Sequence, residues 1–297
     1  MRNMLRALIV ATTMLSSAAY AADTAAQVDR FMVAHDGARI ETLAEGRGPL
    51  IVILPSLGRS GEDYSQTAAK LAADGFRVLR PQPRGIGQSQ GPMEHLNMHV
   101  LAGDVAAVID HEHGGKVVVV GHAFGNFVAR QLAADRPDLV QGVVMAAASA
   151  GKVPPGSTET PIGPEVRQGI DCPSNASLPE ATRLDCLRRI FFAPGHDASV
   201  WLGGWNDDVH HMESWAREHT PVDDYFAAGK APILDLQAED DPVAPRRFSK
   251  VLQSMIGDRV SVVVVPNASH ALFPEQPEIV AKEIATFARR VFATSTQ

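Results

Sequence analysis

The sequence predicts a doubly wound α/β protein built on a mostly parallel sheet. Three observations carry that expectation. Short apolar runs alternate with amphipathic stretches along most of the 297-residue chain. The runs are almost continuous in valine, isoleucine and leucine, as strands buried on both faces of a parallel sheet must be. One of them, Val117-Val118-Val119-Val120, enters a turn with glycine at both ends, Gly121 and Gly125, before a helical pattern begins.

The elements follow in order. Residues 30–43 alternate around Asp36-Gly37, which predicts an antiparallel hairpin at the sheet edge. Residues 50–54 form a buried strand, 64–74 an amphipathic helix ending at Gly75, and 76–79 a short strand. A helix over 100–111 precedes the valine strand, and a helix over 126–135 follows the turn, with Phe127, Val128, Leu132 and Ala133 as its inner stripe. Residues 140–146 form another buried strand. From 152 to 230 the chain turns rich in proline and glycine and carries all three tryptophans, with helical patches at 179–192 and 207–219. That aromatic content suits an insertion over the sheet better than a linker. Strands at 233–237 and 260–265 then alternate with helices at 245–255 and 277–292. The expected division is a leader over 1–21, a core over 22–151 and 231–297, and a mainly helical cap over 152–230.

The leader rests on Arg2 and Arg6, an apolar run over 7–15, and Ala19-Tyr20-Ala21 before Ala22. These are the parts of a secretory signal cut after Ala21, and the run is well short of the ~20 residues of a membrane span. A secreted or periplasmic protein without a membrane span is expected. In such a compartment Cys172 and Cys186, the two cysteines of the chain, are expected to form a disulfide; the pair supplies too few ligands for a metal. Net charge is −7, with no block of lysine or arginine, so nucleic acid and anionic membranes are excluded as expected partners. A small-molecule substrate or ligand remains; the sequence says little of oligomeric state.

In a doubly wound sheet ligands bind beyond the carboxyl ends of the strands. Gly121-His122-Ala123-Phe124-Gly125 has the form of a nucleophile elbow, G-x-S-x-G, with alanine at its centre. Asp241 follows the strand over 233–237, and His270 follows the strand over 260–265. Elbow, acid, histidine is the chain order of one known catalytic triad. On these motifs, and on Pro83 to Ser89 and Glu275-Gln276-Pro277-Glu278, the chain resembles the α/β-hydrolase fold superfamily, in its esterase and prolyl aminopeptidase-like group. The resemblance spans about residues 30–291. It implies an α/β-hydrolase fold and a cofactor-free, metal-free hydrolase of small esters or amides. Position 123 would be the nucleophile, Asp241 and His270 the acid and base, and the N–H groups of Leu57 and Phe124 the oxyanion hole.

Two departures stand out. Pro55-Ser56 replaces the family's usual His-Gly, which a hole made of backbone N–H groups tolerates. Ala123, either encoded or a replacement of serine, has no proton to give and cannot form an acyl-enzyme. A silent ligand-binding protein is therefore the alternative function. Other candidates read more blandly. Glu239 and Asp240 compete with Asp241 for the acid's place, and Ser56 is a displaced nucleophile or a turn residue. His122 is expected to pack or orient, and Asp104 to be a surface or buffering charge. His210-His211-x-Glu213 suits a solvated helix face better than a metal site. Trp201, Trp205 and Trp215 line a pocket or fill the cap core.

Overall fold

The computed structural model describes residues 28–294; the leader over 1–21 lies outside them. Eight strands form one sheet: β1 (Asp29–His35), β2 (Ala38–Gly46), β3 (Leu50–Leu54), β4 (Arg77–Pro81), β5 (Val117–His122), β6 (Val140–Ala146), β7 (Ile233–Ala238) and β8 (Val260–Val265). Their order is β1-β2-β4-β3-β5-β6-β7-β8. β1 and β2 form the expected antiparallel hairpin turning at Asp36-Gly37, and β2 is antiparallel to β4. From β4 to β8 every pairing is parallel.

The valine strand shows why the sheet needs helices on both faces. Val117 and Val119 pack into one hydrophobic core with α2 (Met98–Glu112) and α3 (Gly125–Asp135). Val118 and Val120 pack into the other, with α1 (Ser65–Ala73) and the last helix. All four are fully buried, each contributing about 1.5–3 kcal/mol of transfer free energy. Strand order reverses between β3 and β5, which run side by side while their crossovers leave in opposite directions. The loops after these two strands border the crevice that results.

Between β6 and β7 the described chain has no strand and four α-helices: α4 (Pro164–Asp171), α5 (Glu180–Ile190), α6 (Asp207–Glu218) and α7 (Val222–Tyr225). Beyond β7 come α8 (Val251–Ile256), α9 (Leu272–Glu275) and α10 (Pro277–Ala293). The helix expected over 245–255 is broken. Residues Arg246–Phe248 form a single 3₁₀ turn, and α8 begins only at Val251. The Gln237 amide takes the Ser249 carbonyl at 3.1 Å, pinning the chain to β7 where the two segments meet.

Candidate active site

Position 123 sits at the sharp turn between β5 and α3. Gly121 and Gly125 are there for close approach: a Cβ on Gly125 would stand 2.5 Å from the Leu54 carbonyl oxygen and 2.7 Å from that of Pro55, and one on Gly121 would strike the backbone of Asn126. Between them Ala123 adopts φ +46°, a left-handed conformation that costs a non-glycine residue about 1–2 kcal/mol. Its N–H donates to the Ala146 carbonyl at 3.0 Å, and the Asn126 amide and backbone N–H both reach the Ala123 carbonyl.

Across the crevice His270 Nδ1 lies 2.9 Å from Asp241 Oδ2, both side chains buried. The other carboxylate oxygen accepts the N–H groups of Val243 and Ala244 at 2.8 and 2.9 Å. Three charge-assisted bonds thus fix Asp241. An ionised carboxylate only accepts, so the His270 proton resides on Nδ1 and Nε2 keeps its lone pair as a base. Glu239 and Asp240 do not take this place: Glu239 accepts the Asn267 N–H at 2.9 Å, and both are exposed.

His122, beside the elbow, orients its surroundings. Nε2 is 2.8 Å from the His270 carbonyl, which can only accept, so this nitrogen donates. Burial, then the neighbouring His270, push the His122 pKa well below the usual imidazole range. The neutral ring therefore accepts at Nδ1 from the Tyr64 hydroxyl at 2.7 Å, and that hydroxyl accepts the Ser56 N–H at 2.9 Å. One chain of hydrogen bonds ties the loop after β3, the elbow and the His270 loop together. Glu275 adds another anchor, accepting the N–H groups of Ser269 at 2.7 Å and Ala193 at 2.5 Å.

The site opens into a cavity of about 1340 Å³ whose wall includes Ser56, Leu57, Ala123, Phe124, Trp205 and His270. Among the described residues no acceptor pairs with the backbone N–H of Leu57 or of Phe124. Of the three tryptophans expected to line a pocket or fill the cap core, Trp205 and Trp215 are on the wall and Trp201 is not. It is 2% exposed and packs edge-on against Phe191, Phe192 and Trp205. Arg59 lies over both tryptophan rings at 4.9 and 4.6 Å.

Two other expectations fail. Asp104 is not a surface charge; it is buried and accepts from Arg84 Nε and Nη2 at 2.7 and 2.9 Å. His210 and Glu213 are not on a solvated helix face, being 6% and 2% exposed, though the adjacent His211 is exposed. No group of side chains able to hold a metal ion occurs among the described residues. Sequence reasoning missed the bonding roles of Tyr64, Glu213 and Glu275. For Glu213 a signal existed, since its i, i+3 spacing from His210 places both on one face of a helix.

The model of the Alpha/beta hydrolase family matches residues 51–283. A non-heme haloperoxidase of Rhodococcus erythropolis is 27% identical over 276 residues, covering 86% of this chain and 98% of that protein. A soluble epoxide hydrolase of a Corynebacterium species is 33% identical over 106 residues, which cover 36% of this chain and only 37% of that enzyme. Among solved structures, an esterase from Exiguobacterium antarcticum superposes with a TM-score of 0.72 at 18% identity, over 87% of this chain and 98% of the esterase. With the family model spanning residues 51–283, from β3 into α10 and well over half of the chain, this chain belongs to the alpha/beta hydrolase family.

Proposed function

We propose that this is an exported hydrolase-fold protein of the esterase and prolyl aminopeptidase-like group, with a site built for small esters or amides. The arrangement is of the Ser-His-Asp type, with alanine in the nucleophile's place. The observation that carries the reading is the buried His270–Asp241 pair at 2.9 Å, whose histidine lines the same cavity as Ala123 and as Leu57 and Phe124, the residues of the two unpaired N–H groups. As the chain stands, His270 Nε2 takes a proton from water while the water oxygen bonds to the acyl carbon. The N–H groups of Leu57 and Phe124 hold the oxyanion, and the leaving group departs with the proton. Loss of triad members leaves ~10³–10⁴-fold catalysis over water in a serine protease, so this route is slow. Ala123 itself favours a second reading, a silent protein that binds ligands of the same class.

Ala123→Ser separates the two. It supplies only the missing oxygen, at a position already held in the strained elbow conformation. Hydrolysis of short acyl esters should rise on the order of 10³-fold or more, a phosphonate should label position 123, and His270→Ala should cancel the gain. A folded variant that neither labels nor hydrolyses an ester panel establishes the binding protein instead. Fast hydrolysis with Ala123 in place, indifferent to His270→Ala, overturns both readings and points to Ser56.

A further inference from the structure

The loop after β3 is a tight turn over residues 56–59, and three of its four N–H groups are engaged. The Arg59 N–H returns to the Ser56 carbonyl at 3.0 Å, and the Ser56 N–H is held by Tyr64. The two groups of Gly58 leave the core altogether and bond to α6 and the residue before it. Its N–H donates to Glu213 Oε2 at 2.7 Å, and its carbonyl accepts the Asn206 N–H at 3.0 Å. Asn206 is the N-cap of α6 and also reaches the Gly85 carbonyl with its side-chain amide at 3.2 Å. Gly58 has φ +64°, and a Cβ there would stand 3.0 Å from His210 Cβ and 3.1 Å from the Asn206 carbonyl oxygen. Glycine is thus required both for the turn and for the seating of α6 on it. Within the turn, the N–H left without an acceptor is that of Leu57, a residue that lines the cavity.

We propose that Glu213 is a positioning residue for the oxyanion hole: from α6 it clamps the Leu57–Gly58 peptide, so that the neighbouring Leu57 N–H is aimed into the cavity only while the helix is seated. The clamp would make a residue outside the sheet part of the catalytic geometry. Glu213 touches no substrate atom and acts through Gly58. Its burial, at 2% exposure, removes water as a competitor for the Gly58 N–H. The carboxyl serves as an acceptor in either protonation state, so a neutral amide at 213 can replace it. The catalytic half of this proposal rests on the hydrolase reading above; the clamp itself does not.

Two measurements test it. In the chain with Ala123, amide hydrogen exchange is followed for the native protein, Glu213→Ala and Glu213→Gln. The Gly58 amide should exchange at least ~10-fold faster in Glu213→Ala and near the native rate in Glu213→Gln, while Val118 to Val120 stay protected in both. In the Ala123→Ser background, Glu213→Ala should lower kcat ~10²-fold with KM within about threefold, the pattern of a lost transition-state donor, and Glu213→Gln should keep most of kcat. A Gly58 amide unchanged in Glu213→Ala overturns the clamp, as does exchange accelerated equally throughout the sheet. An unchanged kcat with Gly58 released overturns the catalytic link. If Ala123→Ser alone is inert, the hydrolase reading falls, and the Gly58 amide then decides the clamp by itself.

Discussion

Ala123 keeps the left-handed backbone of an elbow, between two glycines that pack too closely on their neighbours to carry a Cβ. Retained strain of this kind supports the hydrolase reading, since a binding pocket gains nothing from it. Glu213 ties stability to pH. Burial, opposed by the Gly58 N–H, raises its pKa from 4.5 to about 8. Between those values the folded chain holds a proton that the unfolded chain has lost, so stability falls as pH rises through the window, by up to about 1.4 kcal/mol per unit. Asp235, raised by burial to about 7, acts with the same sign over a narrower range. His122 and His210, both lowered by burial, act oppositely: the unfolded chain gains protons first, and stability is lost as pH falls below about 6.5. Glu213→Gln removes one contribution and leaves the others. Its stability relative to the parent should therefore improve by ~1–4 kcal/mol between pH 5 and pH 8 in urea titrations. A difference that is flat with pH would sink this account.

At the scale of elements, the segment between β6 and β7 joins a buried apolar cluster around Leu187, Ile190, Phe191 and Trp201 to a few specific ties. α4 is eight residues long and buries only Gly169, so it cannot persist by propensity alone. The Cys172–Cys186 disulfide joins its C-terminal end to α5 across 14 residues. Arg130 of α3 binds the carbonyls of Ser149 and Ala150 near one end of the segment and that of Phe226 near the other, as well as Asn126 in the elbow helix. Replacing both cysteines by serine should lower stability by about 3 kcal/mol in the chain-entropy account. Because Ile170, Ser174 and Asn175 flank Cys172 and line the cavity, ligand affinity should fall as well. An unchanged denaturation midpoint in the double variant would show that the disulfide constrains nothing.

For the molecule as a whole, the parallel sheet gathers the loops after β3, β5, β7 and β8 at one end, and the four pieces of the site come from those loops. Export is the whole-chain proposal. The segment before Ala22 has the charged, apolar and small-residue regions of a signal, and a disulfide agrees with an oxidising compartment. Mass spectrometry of protein recovered from the periplasm or medium should give a chain starting at Ala22 with both cysteines oxidised. A chain retained in the cytoplasm with the leader uncut would overturn the proposal.

The sheet and its motifs were legible because they are written locally. A strand buried on both faces needs an unbroken apolar run, as in Val117 to Val120, and a strand-to-helix turn packed against its neighbour needs glycine where Gly121 and Gly125 stand. Each can be read from a few adjacent residues, and their order along the chain pointed to the family. What the tertiary structure decided was which side chain faces which partner. Three acids stand in a row at 239–241, and a turn's sequence does not say which of them points at His270; the N–H groups of Val243 and Ala244 capture Asp241 for that place. Asp104 looked like a surface charge until Arg84, 20 positions earlier, closed over it. Trp201 and Trp205 are four residues apart, yet only one reaches the cavity. Glu213 meets Gly58 across 155 positions. Periodicity and turn chemistry act over a turn or a strand, whereas burial and pairing depend on what the rest of the fold brings opposite.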